Sequence, residues 1–475
     1  MSINASIFYK ELLNKFPYQP TFKQSQLFLM LADFVLSPEK NSLFLIKGYA
    51  GTGKTTTLST LVHNLWRLEK KSVLLAPTGR AAKVMSVYSK RKAFTIHKKI
   101  YFPKKQQNGS IEFVLQPNKH TQTIFIVDEA SMIPDGSQSG NLFDKKSLLD
   151  DLISYVYSGH QCRLILIGDI AQLPPVKLKL SPALDENNLA SHYDKYVQKI
   201  ELDEVTRQHE KSGILANASV LRTFITSNAS NFKFDLGYRD IIRLMDGYEI
   251  EDAIIQSYEK QGVEDTALIV FSNKRANLYN QQIRSQILGH ENEISTGDYI
   301  MVVKNNYYWL QDSSEAGFIA NGDICEVLKM ISIKDLYGFR FAEVLIRMID
   351  YPNQQPFETV LILDTLKSES PSLSYQESNR LYEAVKEDYL DEKSKYKQLL
   401  AIKKNKFFNA LQVKFSYAIT CHKSQGGQWK NIFVEQPYLP EGPNKEYMRW
   451  LYTAMTRAQE KLYLIGFKDE YFEES

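Results

Sequence analysis

Cysteine is scarce in this chain. Its 475 residues include only Cys162, Cys325 and Cys421, far apart and without a C-x-x-C pair. That speaks against a zinc site and against a disulfide scaffold, and suits a reducing cytoplasm. Long apolar runs are also missing: none approaches the roughly 20 residues that span a bilayer. Met1 to Tyr18 lacks the charged-then-apolar order of a secretory signal, so the expected location is cytoplasmic, away from any membrane. A dominant charge is lacking too. The formal net charge of +3 is too small to indicate a nucleic-acid partner by itself. What remains is an ordinary globular composition, 43% hydrophobic and 24% charged, in a chain long enough for several domains.

Against this plain background one stretch stands out. The apolar run Leu43-Phe44-Leu45-Ile46 leads into Gly48-Tyr49-Ala50-Gly51-Thr52-Gly53-Lys54-Thr55, and Leu58, Leu61, Val62, Leu65 and Leu68 follow at helical spacing. A strand ending in G-x-x-x-x-G-K-[ST] and opening a helix is a phosphate-binding P-loop. Backbone N–H groups of Gly48, Ala50, Gly51, Thr52 and Gly53, with Thr56 in the first helical turn, would close around the phosphates of ATP at a helix N-terminus. Lys54 would reach the β- and γ-phosphates, and the Thr55 hydroxyl would hold Mg²⁺.

Further strand-and-turn signals follow in α/β order. Thr123 to Val127 is an apolar strand ending in Asp128-Glu129. After a P-loop this pair reads as a carboxylate for Mg²⁺ (Asp128) and one that orients and deprotonates the attacking water (Glu129). Arg163 to Ile167 ends in Gly168-Asp169-Ile170-Ala171-Gln172-Leu173-Pro174-Pro175, which would set Gln172 near a γ-phosphate. Ser72 to Leu75 leads to Pro77-Thr78-Gly79, a turn and helix start suited to a phosphate outside the ATP site. From Arg80 to Lys105 there are nine Lys or Arg and no acid. Within this block lie Thr95 and His97. Asn108-Gly109 then carries a type I′ turn signal for a small hairpin. Gln24, or its neighbour Gln26, lies near a helix start ahead of the P-loop strand, where a side-chain amide would pair with adenine.

The segments VDEAS and GDxxQLPP, taken together, resemble motifs II and III of superfamily 1B DNA helicases of the RecD-like and Dda-like type. Leu202 to Gln208 is similar to motif IV, Tyr417 to Gly426 to motif V, and Tyr452 to Ala458 to motif VI. Ala76 to Lys83 and Thr95 to His97 match motifs Ia and Ib, and Thr21 to Gln24 the Q motif. The resemblance implies an α/β fold of two RecA-like parallel-sheet cores. The first core, 1–200, would carry a hairpin insert at about 98–122. The second would comprise 201–296 and 411–475, with an SH3-like barrel and helical insert at 297–410.

The resemblance also implies roles. Arg207 and Arg457 would reach the γ-phosphate from the second core. Pro77, Thr78, Thr95, His97, Thr420, His422 and Lys423 would contact single-stranded DNA, mostly at phosphates, as a sequence-indifferent motor requires. The hairpin would be the wedge at a single/double-strand junction. The activity implied is ATP-dependent, 5′-to-3′ translocation and unwinding by a monomer. The rivals are a single-strand translocase that displaces proteins without unwinding, and a P-loop enzyme unrelated to DNA. A guanine-reading NKxD is absent, since Asn273-Lys274-Arg275-Ala276 lacks the Asp.

Overall fold

The structure, a computed structural model, describes residues 3–105, 111–134, 147–176, 178–206, 212–227, 232–310, 314, 316–392 and 394–473. Its first core is a parallel sheet of β1 (Ser42–Gly48), β2 (Lys71–Ala76), β3 (Ala93–Thr95), β6 (Thr123–Val127), β7 (Arg163–Gly168) and β8 (Tyr196–Leu202), in the order β3-β2-β6-β7-β1-β8. Between β3 and β6, an antiparallel pair, β4 (Tyr101–Lys105) and β5 (Ile111–Leu115), departs from the sheet. The turn expected at Asn108-Gly109 lies outside the described residues.

The central strands are apolar throughout because both of their faces are covered. Phe44, Ile46, Ile124, Ile126, Ile165 and Ile167 pack against the helices Ala5–Lys15, Phe22–Leu36 and Lys54–Asn64. Their alternating neighbours Leu43, Leu45, Phe125, Val127, Leu164 and Leu166 pack against the helix Leu148–Ser158. The two-residue period of a strand thus sorts one apolar run into two half-cores.

The second core is also parallel, with β9 (Ile241–Leu244), β10 (Thr266–Val270), β16 (Ala418–Thr420), β17 (Trp429–Glu435) and β18 (Ala458–Ile465) in the order β16-β10-β17-β18-β9. Between β10 and β16 a closed barrel forms from β11 (Tyr299–Val302), β12 (Ile324–Leu336), β13 (Phe339–Met348), β14 (Phe357–Ile362) and β15 (Leu411–Phe415). The helices Tyr375–Glu387 and Lys395–Lys404 bury Leu381, Val385 and Ile402 against Phe341 and Ile362 of the barrel.

Two expected boundaries move. β8 pairs with β1 as far as Leu202, opposite Gly48, so the first sheet runs past residue 200. β15 pairs with β11 and β14, so the barrel extends past residue 410 to Phe415. A single short strand carries no sequence mark of the sheet that will accept it.

One buried carboxylate ties barrel to second core. Asp298, fully buried, accepts from Arg284 Nε at 2.9 Å and Nη2 at 2.8 Å, from the Tyr417 hydroxyl at 3.0 Å and from the Ser295 N–H at 2.7 Å, with His290 Nδ1 at 2.9 Å. A buried charge is tolerable when its lone pairs are all met in this way.

Candidate nucleotide and nucleic-acid sites

The P-loop follows β1 and opens the helix Lys54–Asn64. Lys54 Nζ donates to the carbonyls of Gly48 at 2.8 Å and Tyr49 at 2.7 Å, curled over the loop it closes. Gly53 is left-handed at φ 77°, and a Cβ there would lie 2.4 Å from Gln24 Nε2. Only glycine fits such a position. Gln24 itself is 2% exposed and turned inward. Its Oε1 accepts from the Thr21 N–H, completing a capping box for the helix Phe22–Leu36, and its Nε2 donates to the Thr52 carbonyl. Both ends of the amide are used within the chain, propping the P-loop from behind. Gln26 is exposed.

Asp128 and Glu129 stand at the end of β6. Burial and the neighbouring Glu129 push the Asp128 carboxyl up to about 6, while the Glu129 N–H and Lys54 pull the other way. Two adjacent carboxyls under this mutual strain fit a divalent cation shared with phosphates. Among the described residues no cluster of three or more His, Cys, Asp or Glu that could hold a metal ion is present. Thr55 is the second residue of the helix Lys54–Asn64 that follows the P-loop.

The second core reaches into this site through the helix Lys445–Met455 and the turn after it. Arg457, 3% exposed, places Nη1 3.5 Å from Glu129 Oε1 and anchors Nε on the Thr453 carbonyl at 3.0 Å. The Tyr452 hydroxyl donates to Asp169 Oδ2 at 2.8 Å and accepts from the Ala50 N–H of the P-loop at 2.9 Å. Leu173 is gripped twice: its N–H donates to Thr453 Oγ1 at 2.8 Å, and its carbonyl accepts from Gln425 Nε2 at 2.7 Å. Gln172, between these contacts, is 6% exposed with its Oε1 unpartnered among the described residues. Arg457 thus meets Glu129 across the junction, and Gln172 lies next to the doubly held Leu173. Arg207 and Gln208 lie outside the described residues, although the Thr206 N–H just before them donates to Gly51 at 3.1 Å.

The residues expected to meet DNA lie at or just after the ends of β2, β3 and β16. Thr78 and Thr95 cap the helices that follow them, each hydroxyl accepting at 3.2 Å from the N–H of Ala81 or Lys98. Thr78 Oγ1 would lie 3.1 Å from a Cβ on Gly426, at φ 73°, so motif V of one core rests on motif Ia of the other. Pro77 is half-buried beside them. Burial lowers the pKa of the His97 imidazole, whose ring lies 5.8 Å from that of Tyr101. Thr420 ends β16, His422 is exposed, and Lys423 is half-buried.

Several participants carried no sequence signal of their own. Arg80 stacks its guanidinium 3.9 Å from the centre of Trp429, joining the motif Ia helix to β17. Arg222 covers the Tyr49 ring at 4.2 Å, and the Tyr49 hydroxyl donates to Glu201 at 2.6 Å. Tyr452 and Asp169 stood inside recognised motifs, but a bond between two sheets cannot be read from either segment alone.

Two family models match the chain: an AAA domain over residues 35–178 and a UvrD-like helicase C-terminal domain over residues 415–465. An uncharacterised protein of Acanthamoeba polyphaga mimivirus is 25% identical over 502 residues, spanning 91% of this chain and 97% of that protein. The ATP-dependent DNA helicase Dda of Enterobacteria phage T4 is 23% identical over 457 residues, spanning 90% of this chain and 95% of Dda. A crystal structure of the Pif1 helicase from Bacteroides with ADP-AlF3 and single-stranded DNA aligns over 96% of this chain and 94% of its own at 14% identity and a TM-score of 0.47. The family models and Dda agree with the likeness to superfamily 1B helicases drawn from the motifs. Among the described residues no helix is long and apolar enough to cross a membrane.

Proposed function

We propose that the chain is an ATP-dependent DNA helicase that moves 5′ to 3′ along a single strand as a monomer and parts the duplex ahead of it. The observation that carries this reading is the reach of Arg457 across the cleft to within 3.5 Å of Glu129. A buried arginine that reaches the acid pair of the first core from the second fits a nucleotide held between two cores, as a two-core motor requires. Gly48, Ala50, Gly51, Thr52, Gly53 and Thr56 would line the triphosphate, with Gln24 bracing the loop from behind and Lys54 drawn onto the outer phosphates. Thr55 and Asp128 would hold Mg²⁺, which supplies charge neutralisation on the phosphates when bound. Glu129 would take the proton of the attacking water. Gln172, Arg207 and Arg457 would meet the γ-phosphate.

The same contacts explain motion. Tyr452, Thr453 and Gln425 bind P-loop and motif III of the first core to motifs V and VI of the second. A change at the γ-phosphate is therefore felt by both sheets, and a cleft with two discrete packings is what a motor needs. Pro77, Thr78, Thr95, His97, Thr420, His422 and Lys423 would track the strand, and the β4–β5 pair would meet the fork.

ATP turnover with and without oligo-dT, together with displacement of duplexes bearing a 5′ or a 3′ tail, tests the reading. The expected result is strong stimulation by oligo-dT and unwinding of the 5′-tailed duplex. Unstimulated turnover would overturn a DNA motor. Stimulation without displacement would leave a translocase, and displacement of the 3′-tailed duplex alone would reverse the polarity.

A further inference from the structure

Two lysines with no counter-charge among the described residues meet where the barrel joins the second core. Lys414, on barrel strand β15, is 5% exposed and donates to the Ser368 carbonyl. Lys423 enters the same cleft from the turn after β16, and Asn273, Asn277 and Thr420 complete its polar lining. Burial pushes both ammonium groups down to about 8, and Lys423 depresses Lys414 further; among the described residues no carboxylate offsets either. The arrangement is held in place by Asn280. Its Nδ2 donates to the carbonyls of Ala418 at 2.9 Å and Phe415 at 3.3 Å, and its Oδ1 accepts from the Ala418 N–H at 2.8 Å. The crossing from β15 to β16 is thus fixed with both lysines aimed into one cleft.

Paired, desolvated cations are costly unless an anion joins them. The cleft between them is narrow, with a volume of about 10 Å³, at the lower limit for a single oxygen-sized atom. We infer that Lys414 and Lys423 form a phosphate-oxygen subsite shared by barrel and core, where one backbone phosphate of the tracked single strand clamps the two units together. This inference rests on the DNA reading above and adds to it a barrel residue that no motif contains. A lysine in a strand of alternating burial reads from sequence as a solvent-facing group; here closure of the barrel turns it inward.

Binding of oligo-dT to the full chain, measured over a range of salt, tests it. Replacing Lys414→Gln should weaken binding about fivefold and lower the slope of log affinity against log salt by about 0.7, the share of one phosphate contact on a single strand. Lys414→Arg should keep the slope, and oligo-dA should show the same loss as oligo-dT, since the contact is to the backbone. Should the glutamine variant fail to fold, Lys414→Met, which keeps the apolar stem, takes its place with the same expected loss. An unchanged slope and affinity in the variant, with the wild-type chain binding normally, would overturn this inference alone. No binding of oligo-dT by the wild-type chain would overturn the DNA reading and this site with it.

Discussion

The junction between the two cores and the cleft where the barrel joins the second core solve their electrostatics in opposite ways. On the nucleotide face, charges and polar groups from one core are met by the other: Tyr452 by Asp169 and Ala50, Leu173 by Thr453 and Gln425, Arg457 by Glu129. In the barrel cleft, Lys414 and Lys423 meet with no acid among the described residues opposing them, and burial lowers both. The first is a joint that the protein completes with its own groups. The second, on our inference, is a receptor that an anion from outside completes. A motor needs both kinds of surface, since the joint must transmit what the receptor holds.

The sharpest way to break this contrast is to remove the cation of the joint. Arg457→Ala is expected to lower DNA-stimulated turnover about 10³-fold, the scale of an arginine that stabilises charge on the transferred phosphoryl group. Nucleotide binding, read with a fluorescent ATP analogue, should change little. If turnover survives within tenfold, Arg457 is a structural plug and the joint has no chemical role. If binding collapses along with turnover, its part is to hold the cores together.

A smaller effect should separate positioning from chemistry. Tyr452→Phe keeps the ring, which is 1% exposed, but leaves the Ala50 N–H and Asp169 Oδ2 without their partner. Each buried group stranded in this way costs about 1–3 kcal/mol. The expected outcome is a lower melting temperature and about a tenfold loss of DNA-stimulated turnover. A double-mutant cycle with Asp169→Asn should show strong non-additivity, because both changes cut one bond. Additive losses would mean that the hydroxyl and the carboxylate act apart, and that the joint is looser than its distances imply.

Much of the joint was legible in the sequence because its parts are local. A glycine-rich loop after an apolar strand, an acid pair after another, and an arginine in a recognisable segment each announce themselves within a few residues. The alternating apolar residues of β1, β6 and β7 likewise carry the two-sided sheet in their own order. What could not be read is what depends on residues distant in the chain. Gln24 looked free to read a base, yet its amide closes a capping box and braces Thr52. Thr78 and Thr95 looked free to hold phosphates, yet each also caps a helix. The strand β15 looked like part of the second core, because nothing within Leu411–Phe415 records that β11 and β14 will accept it. Lys414 was hidden for that same reason.

The smallest effect expected is also the most specific to the barrel cleft. Lys414 and Lys423 have their pKa values lowered to about 8 in the folded chain, from an ordinary 10.5. Between those values the unfolded chain binds more protons than the folded one, so the contribution of these groups to stability rises as pH climbs from about 8 towards 10. A phosphate in the cleft favours the charged amines and raises their pKa, so binding takes up protons over the same window. Affinity for oligo-dT should therefore be greatest below about pH 8 and fall severalfold by about pH 9.5. Asn273, Ala276, Asn277, Asn280, Met301, Phe415, Ala418, Ile419 and Thr420, the other residues lining the cleft, do not titrate. The Lys414→Gln variant should flatten the fall in affinity, while Lys414→Arg, charged throughout, should flatten it without the loss of salt slope. Stability and affinity moving in opposite directions across one pH window is a signature that a solvent-exposed lysine, already charged in both states, would not produce. A fall of equal size in Lys414→Gln would place the titrating group elsewhere and dissolve the contrast between joint and receptor.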